Sequence, residues 1–101
     1  MKMLIVVFRQ SLDDEIRELL EGLKVKGFTE APKVLGTGEA GRVGGTHEYP
    51  GYNSMILSAL EDEEAKTVIA RLQALHDKLA HNQHGAQIPL RVFVLPCEQA
   101  L

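Results

Sequence analysis

The side chains best suited to bind a metal in this sequence are those of its four histidines and its one cysteine, namely His47, His76, His81, His84 and Cys97. Imidazole nitrogens and thiolates are good ligands for zinc and copper. On a continuous helix, however, His76 and His81 would lie about 140° apart, unlike a pair four residues apart that converges on one ion. The spacing therefore favours exposed histidines near a helix end. A divalent metal bound by His47 and Cys97, with help from the later histidines, remains the alternative.

A second candidate for chemistry is the glycine-rich stretch "VLGTGEAGRVGGTHEYPGYN", residues 34–53, which holds six glycines. Loops longer than about 12 to 15 residues are uncommon in compact domains and usually functional or disordered. Its glycines allow the backbone to approach a ligand closely, but the segment does not lead from a strand into a helix, as dinucleotide and Walker motifs do. We expect a loop over about residues 36–53 that pairs poorly as strand, and we expect residues from about 37 to 52 to be mobile until a ligand binds.

The sequence gives no support for catalysis. The acidic run at residues 61–64 is the expected arrangement at a helix N-terminus. Cys97 has no neighbours that would activate a thiolate, and no serine, cysteine or paired-carboxylate arrangement stands out. An acylphosphatase-like enzyme would need a phosphate-cradling loop after the first strand. Arg9 is there, but "RQSLDD" lacks the glycine-rich turn. We therefore predict that the protein is not an enzyme.

Composition limits the remaining classes. The chain has 101 residues, 45% hydrophobic content and a net charge of -3, which predicts one domain spanning residues 1–101. No basic run is present, so nucleic-acid binding is not expected. The opening run "MLIVVF" is too short to cross a bilayer, and no secretory signal is visible. These features predict a cytoplasmic protein.

Four apolar runs alternate with two segments of helical periodicity. The runs are "MKMLIVVFR", "VKGFTEAPKVL", "SMILSALED" and "IPLRVFVLP". One helix is predicted to start at a capping box of Ser11 and Asp14 and to end near Gly22, and the other to start at Asp62. Pro32 and Pro89 confine the second and fourth runs to sheet edges or bulges, because proline cannot donate to a ladder.

This order, βαββαβ, predicts an α+β protein of the ferredoxin-like plan: a four-stranded antiparallel sheet with two helices on one face and runs one and three in the centre. Those central runs are apolar on both faces, whereas two helices cover only one. We expect a further subunit to cover the other face.

The element order and the stretches "VKGFTEAPKVLGTGEAG" and "RVFVLPCEQAL" resemble the PII signal-transduction family, formally the nitrogen regulatory P-II proteins. The resemblance implies a homotrimer that binds ATP, ADP or AMP in clefts between subunits. It also implies that residues 36–53 correspond to the effector loop (T-loop), which engages a membrane transporter or an enzyme in response to a small-molecule effector. Such proteins are regulators.

The resemblance assigns candidate residues to each role. Nucleotide contacts are implied at Gly27, Phe28, Thr29, Gly36, Gly38 and Arg91. Partner contacts in the loop are implied at Arg42, His47, Tyr49 and Tyr52.

Two departures from the family pattern change the expected ligand. Ile88, Pro89 and Leu90 stand where the family has a glycine-rich phosphate cradle. Ala40 replaces a glutamine that helps to hold magnesium and 2-oxoglutarate. We therefore expect weakened phosphate binding, a preference for ADP or AMP over ATP, and no ordinary 2-oxoglutarate sensing.

Overall fold

The computed structural model describes residues 1–38, 41–43, 51–82 and 87–101. A 3-10 turn at Gln10–Leu12 joins the first strand to the first helix. The strands are β1 (Lys2–Arg9), β2 (Thr29–Val34), β3 (Gly36–Gly38), β4 (Gly41–Val43), β5 (Asn53–Leu60) and β6 (Leu90–Pro96), and the helices are α1 (Asp13–Gly22) and α2 (Asp62–Asn82). Neither helix is both long and apolar enough to cross a membrane.

The main sheet has the order β2-β5-β1-β6, and every neighbouring pair is antiparallel. The ferredoxin-like prediction is confirmed, with the two doubly apolar runs in the centre and the two proline-containing runs at the edges. At the middle of the sheet, Ile5 lies opposite Leu57 on one side and opposite Phe93 on the other.

One face of the sheet forms the core with both helices. Alternate side chains of β1 and β5 point to this face because side chains along a strand alternate between faces. The buried residues of β1 and β5 are Leu4, Val6, Phe8, Ile56 and Leu60, and those of the helices are Ile16, Leu20, Ala65, Val68 and Leu72. The predicted apolar stripes of both helices therefore do supply the core.

The opposite face, which we call the open face, is also apolar. Its side chains include Met3, Ile5, Val7, Met55, Leu57, Phe93 and Leu95. None of the described helices packs on it, and Phe93 and Leu95 are 54% and 49% exposed. Among the described residues, nothing therefore covers this second face of the sheet with a hydrophobic partner.

The predicted capping box at the start of α1 is wrong. Ser11 lies inside the 3-10 turn, and α1 begins at Asp13 with Leu12 at the N-cap position and no side-chain cap. Ser11 already belongs to the 3-10 turn, so it is not the residue that directly precedes α1 and cannot act as its N-cap. The predicted end at Gly22 is confirmed.

The residue that reverses the chain after α1 is Lys24, which has a φ of 58°. Its N–H donates to the Glu21 carbonyl at 3.0 Å, and the Val25 N–H donates to the Leu20 carbonyl at 3.1 Å. A left-handed conformation costs a non-glycine residue about 1 to 2 kcal/mol. Lys24→Gly should therefore stabilise the fold by about 0.5 to 1 kcal/mol after allowing for the flexibility of glycine in the unfolded chain. Thermal unfolding should show a rise of a few degrees.

Lys26→Gly is the matched control for this prediction, because Lys26 is exposed and has no positive φ. It should gain nothing and lower the melting temperature slightly. Equal destabilisation by the two changes would show that Lys24 carries no strain in solution.

Candidate ligand site at the loop end of the sheet

Four strand ends meet at one end of the main sheet, which we call the loop end. Arg9, the last residue of β1, lies opposite Asn53, the first residue of β5, and Val34 of β2 lies on the other side of Asn53. The Arg9 N–H donates to the Pro89 carbonyl at 3.0 Å. Both ends of the glycine-rich segment therefore lie at the loop end. The connection from α2 to β6 also ends there.

A β-bulge turns β2 at this end. Ala31 lies opposite Met55 and Val34 lies opposite Asn53, so that Pro32 and Lys33 together face one residue of β5. Lys33 has a φ of 56°, and bulges bend a strand and increase its twist. The prediction that Pro32 would occupy an edge or bulge is confirmed. The bend directs the chain out of the sheet into the glycine-rich segment.

The start of that segment is a β-hairpin. β3 and β4 pair antiparallel, with Gly36 opposite Val43 and Gly38 opposite Gly41. The prediction that this part would not pair as strand is wrong here. Glycine is poor in a strand because it lacks side-chain packing, but a short hairpin depends on backbone hydrogen bonds and a tight reversal.

Three of the loop residues singled out by the sequence, Ala40, His47 and Tyr49, lie outside the described residues.

Gly36 lies tightly against the sheet. A Cβ added to it would fall on the amide nitrogen of Asn53. No positive φ is found at Gly36, so the close approach, and not the backbone conformation, requires glycine. Tyr52, just before Asn53, is half-buried, and its carbonyl accepts from the Gln10 N–H at 2.8 Å.

Two arginines share the open face at the loop end. Arg9 follows Val7 on that face of β1, and Arg91 lies directly opposite Val7 on β6. Arg9 and Arg91 are therefore diagonal neighbours, whose Cα atoms are typically about 7 to 8 Å apart. Neither forms an ion pair with any other described residue. Two like charges placed together without an acidic partner form a local anion-attracting surface.

The donors of these arginines are only partly used. The Arg91 Nη1 donates to the Ile88 and Leu90 carbonyls at 3.0 and 3.2 Å. The Arg9 Nε is buried without a hydrogen-bond partner within the described ranges. Since a guanidinium has five N–H donors in a planar fork, both side chains keep donors for an anion.

In the sequence, Arg91 is a candidate site residue, whereas Arg9 is a candidate only for an acylphosphatase-like enzyme. The signal that the sequence lacks is register: the spacing of Arg9 and Arg91 along the chain says nothing about their being neighbours. The one indication of a role for Arg9 in the sequence is that it is a cation at the very end of an apolar strand.

The three candidates before and at the start of β2 lie further along the sheet. Thr29 is exposed opposite Leu57, four residues from Asn53 on β5. The Gly27 carbonyl accepts from the buried Ser58 hydroxyl at 2.7 Å, which ties this segment to β5. Phe28 packs partly against the core. Within one chain, Thr29 is thus about 13 Å along the sheet from Asn53, against which Gly36 lies, and Arg91 is on the opposite edge strand, β6.

The candidate metal ligands are not brought together in the described part of the chain. No three His, Cys, Asp or Glu side chains among those residues form a group that could hold a metal. Cys97 is half-buried beyond the end of β6, where its N–H donates to the Met1 carbonyl at 3.2 Å. His47 and His84 lie outside the described ranges.

Several solved structures share this fold. CPII, a nitrogen regulatory PII-like protein from Thiomonas intermedia K12, solved with bound ADP, AMP and bicarbonate, has a TM-score of 0.71 at 21% identity, covering 93% of this chain and 82% of that chain. Its apo form has a TM-score of 0.65 at 18% identity, with 93% and 85% covered. A PII-like signalling protein from Thermus thermophilus has a TM-score of 0.63 at 22% identity, with 93% and 83% covered.

The low identities of these structures to the chain show that the fold is shared and show no more than that. No curated protein matches the chain. The family profile described as nitrogen regulatory protein P-II matches residues 1–101, the whole length of the chain. Together with the element order, this match confirms the resemblance seen in the sequence, and the chain belongs to the P-II family.

Proposed function

We propose that this protein is a non-enzymatic regulator that binds an adenine nucleotide at the loop end of its sheet. The observation that carries the proposal is the pair of guanidinium groups, Arg9 and Arg91, on the open face beside the glycine-rich hairpin, neither of which has an ionic partner among the described residues. Guanidinium groups suit phosphate because their donors match its oxygens in pairs. The CPII structures, which hold ADP and AMP, support the choice of nucleotide.

The backbone around β6 favours a ligand with few phosphates. Pro89 has no N–H, and the Leu90 N–H already donates to the Ile88 carbonyl at 2.8 Å. These residues therefore offer little of the backbone N–H cradle that holds phosphate groups in other proteins. Phosphate binding then depends on the arginine side chains, so that ADP or AMP should lose less affinity than ATP.

The open face supports a homotrimer with the nucleotide between subunits. An apolar surface of this kind marks an interaction site in soluble proteins. In such an assembly, two subunits would form each cleft. One would contribute Gly27, Phe28 and Thr29, and the other Gly36, Gly38 and Arg91. This division accounts for their separation within a single chain.

Residues from about 36 to 53 serve as the effector loop in this proposal. Arg42, His47, Tyr49 and Tyr52 are the proposed contacts to a regulated membrane transporter or enzyme. A ligand bound at the loop end would change which conformations the loop adopts, since the hairpin begins there. A ligand-responsive loop of this type needs many backbone states in the free protein, which the five glycines after Gly36 provide.

Calorimetric titration with ATP, ADP and AMP tests the nucleotide proposal. We expect ADP or AMP to bind more tightly than ATP. We also expect Arg91→Ala to weaken ADP binding about tenfold or more, because a hydrogen bond to a charged group contributes about 1.5 to 3 kcal/mol. Arg71→Ala, at an exposed position on α2, is the control and should leave affinity unchanged.

Two outcomes of this titration would overturn the proposal. One is tight ATP binding that Arg91→Ala does not alter. The other is the absence of binding by any of the three nucleotides, after which titration with zinc and copper would test the metal alternative.

A further inference from the structure

The side chain of Asn53 lies against Gly36 at the start of the glycine-rich hairpin. The amide of Asn53 occupies the position that a side chain at Gly36 would need. Leu35 and Thr37, on either side of Gly36, are exposed, and Leu35 is 59% exposed. At the start of the hairpin, it is therefore Gly36 that approaches the sheet.

Asn53 is itself firmly held. It pairs with Arg9 on β1 and with Val34 on β2, so that β-ladders fix its backbone on both sides. Residues directly opposite each other on antiparallel strands place their side chains on the same face. The Asn53 amide consequently lies beside the Arg9 side chain and against Gly36.

We propose that Asn53 is a positioning residue whose amide holds the hairpin β3–β4 beside Arg9, so that the hairpin and the guanidinium face the same ligand. This inference rests on the proposed function, since it assigns to Asn53 and Gly36 the coupling between the ligand site and the loop. Glycine at position 36 is then a requirement of the amide contact and not of flexibility.

Changes on either side of this contact should leave the main sheet folded. The Asn53 amide is the end of a short side chain, so a methyl group at position 36 displaces the amide without disturbing the β-ladders. Gly36→Ala and Asn53→Ala therefore remove the same contact from its two sides. Two substitutions that abolish one shared contact are not additive.

Hydrogen exchange of the hairpin amides in the nucleotide-free protein tests this with a double-mutant cycle. Gly36→Ala and Asn53→Ala should each speed exchange of the β3–β4 amides by roughly fivefold, in line with typical coupling between contacting residues. The double variant should exchange no faster than the more affected single variant. Gly22→Ala is the matched control, because a Cβ at Gly22 meets no atom within 4 Å, and it should not change hairpin exchange.

ADP titration of the same four variants separates positioning from simple packing. Each single variant should weaken ADP binding by roughly fivefold, and the double variant by the same factor, while the melting temperature changes little. Additive effects in the exchange cycle, or an intact ADP affinity in both single variants, would overturn the role of Asn53. Wild-type protein that binds none of ATP, ADP and AMP would overturn the proposed function, whereas the exchange cycle would still decide whether the contact holds the hairpin.

Discussion

Phe93→Asp should convert the proposed trimer to a monomer. Phe93 lies on the open face, opposite Ile5 in the central row of the sheet, and it is 54% exposed in the single chain. A carboxylate there is hydrated in the monomer but would be buried without a partner in an assembly that covers the open face. Burial of an unpaired charge costs several kcal/mol, and each subunit would incur that cost. Light scattering should report a fall in mass from three times 11.2 kDa to 11.2 kDa.

Leu101→Asp is the control for this change, because it places the same charge at an exposed apolar residue outside the described strands. It should leave the mass of the assembly unchanged. Circular dichroism should show that Phe93→Asp keeps the secondary structure, since Phe93 contributes little to the core of the single chain. A wild-type monomer at micromolar concentration, or a Phe93→Asp protein that remains trimeric, would contradict the proposed assembly.

The fold could be predicted from the sequence because its signals are local and agree with one another. Two runs apolar on both faces had to lie in the centre of a sheet, and the proline-containing runs had to lie at its edges. The periodicity of α2 places Ala65, Val68 and Leu72 in the core. Each of these predictions depends on the alternation of side chains along a strand or helix, which the sequence shows directly.

The site could be predicted only in part because it depends on register. Arg9 and Arg91 are separated by most of the chain, and they become neighbours only through the alignment of β1 with β6. The contact between Gly36 and Asn53 similarly follows from the bulge at Pro32 and Lys33, which shifts the pairing of β2 with β5. A shift of one residue would move each of these side chains to the other face. Residue types suggested a ligand loop, but they could not say which cation it meets.

Arg9→Ala should weaken ADP binding by about ten- to a hundredfold, because it removes from the loop end a guanidinium that has no ionic partner among the described residues. A charge-assisted hydrogen bond contributes about 1.5 to 3 kcal/mol, and each 1.4 kcal/mol corresponds to a tenfold change in affinity. Arg9→Lys should recover only part of the loss, since an ammonium keeps the charge but cannot offer paired donors to phosphate oxygens.

Stability distinguishes this role of Arg9 from a structural one. The Arg9 Nε lacks a partner among the described residues, and the guanidinium lies near that of Arg91, so its removal should not destabilise the fold. Arg17→Ala is the control, because Arg17 does have an ionic partner. Both Glu30 carboxylate oxygens accept from the Arg17 Nη2 at 3.1 Å. It should leave ADP affinity unchanged and, as an exposed ion pair, should alter stability by less than about 1 kcal/mol. Calorimetry and thermal unfolding of both variants give the two readouts. A loss of stability in Arg9→Ala with unchanged ADP affinity would assign Arg9 to the fold and remove it from the site.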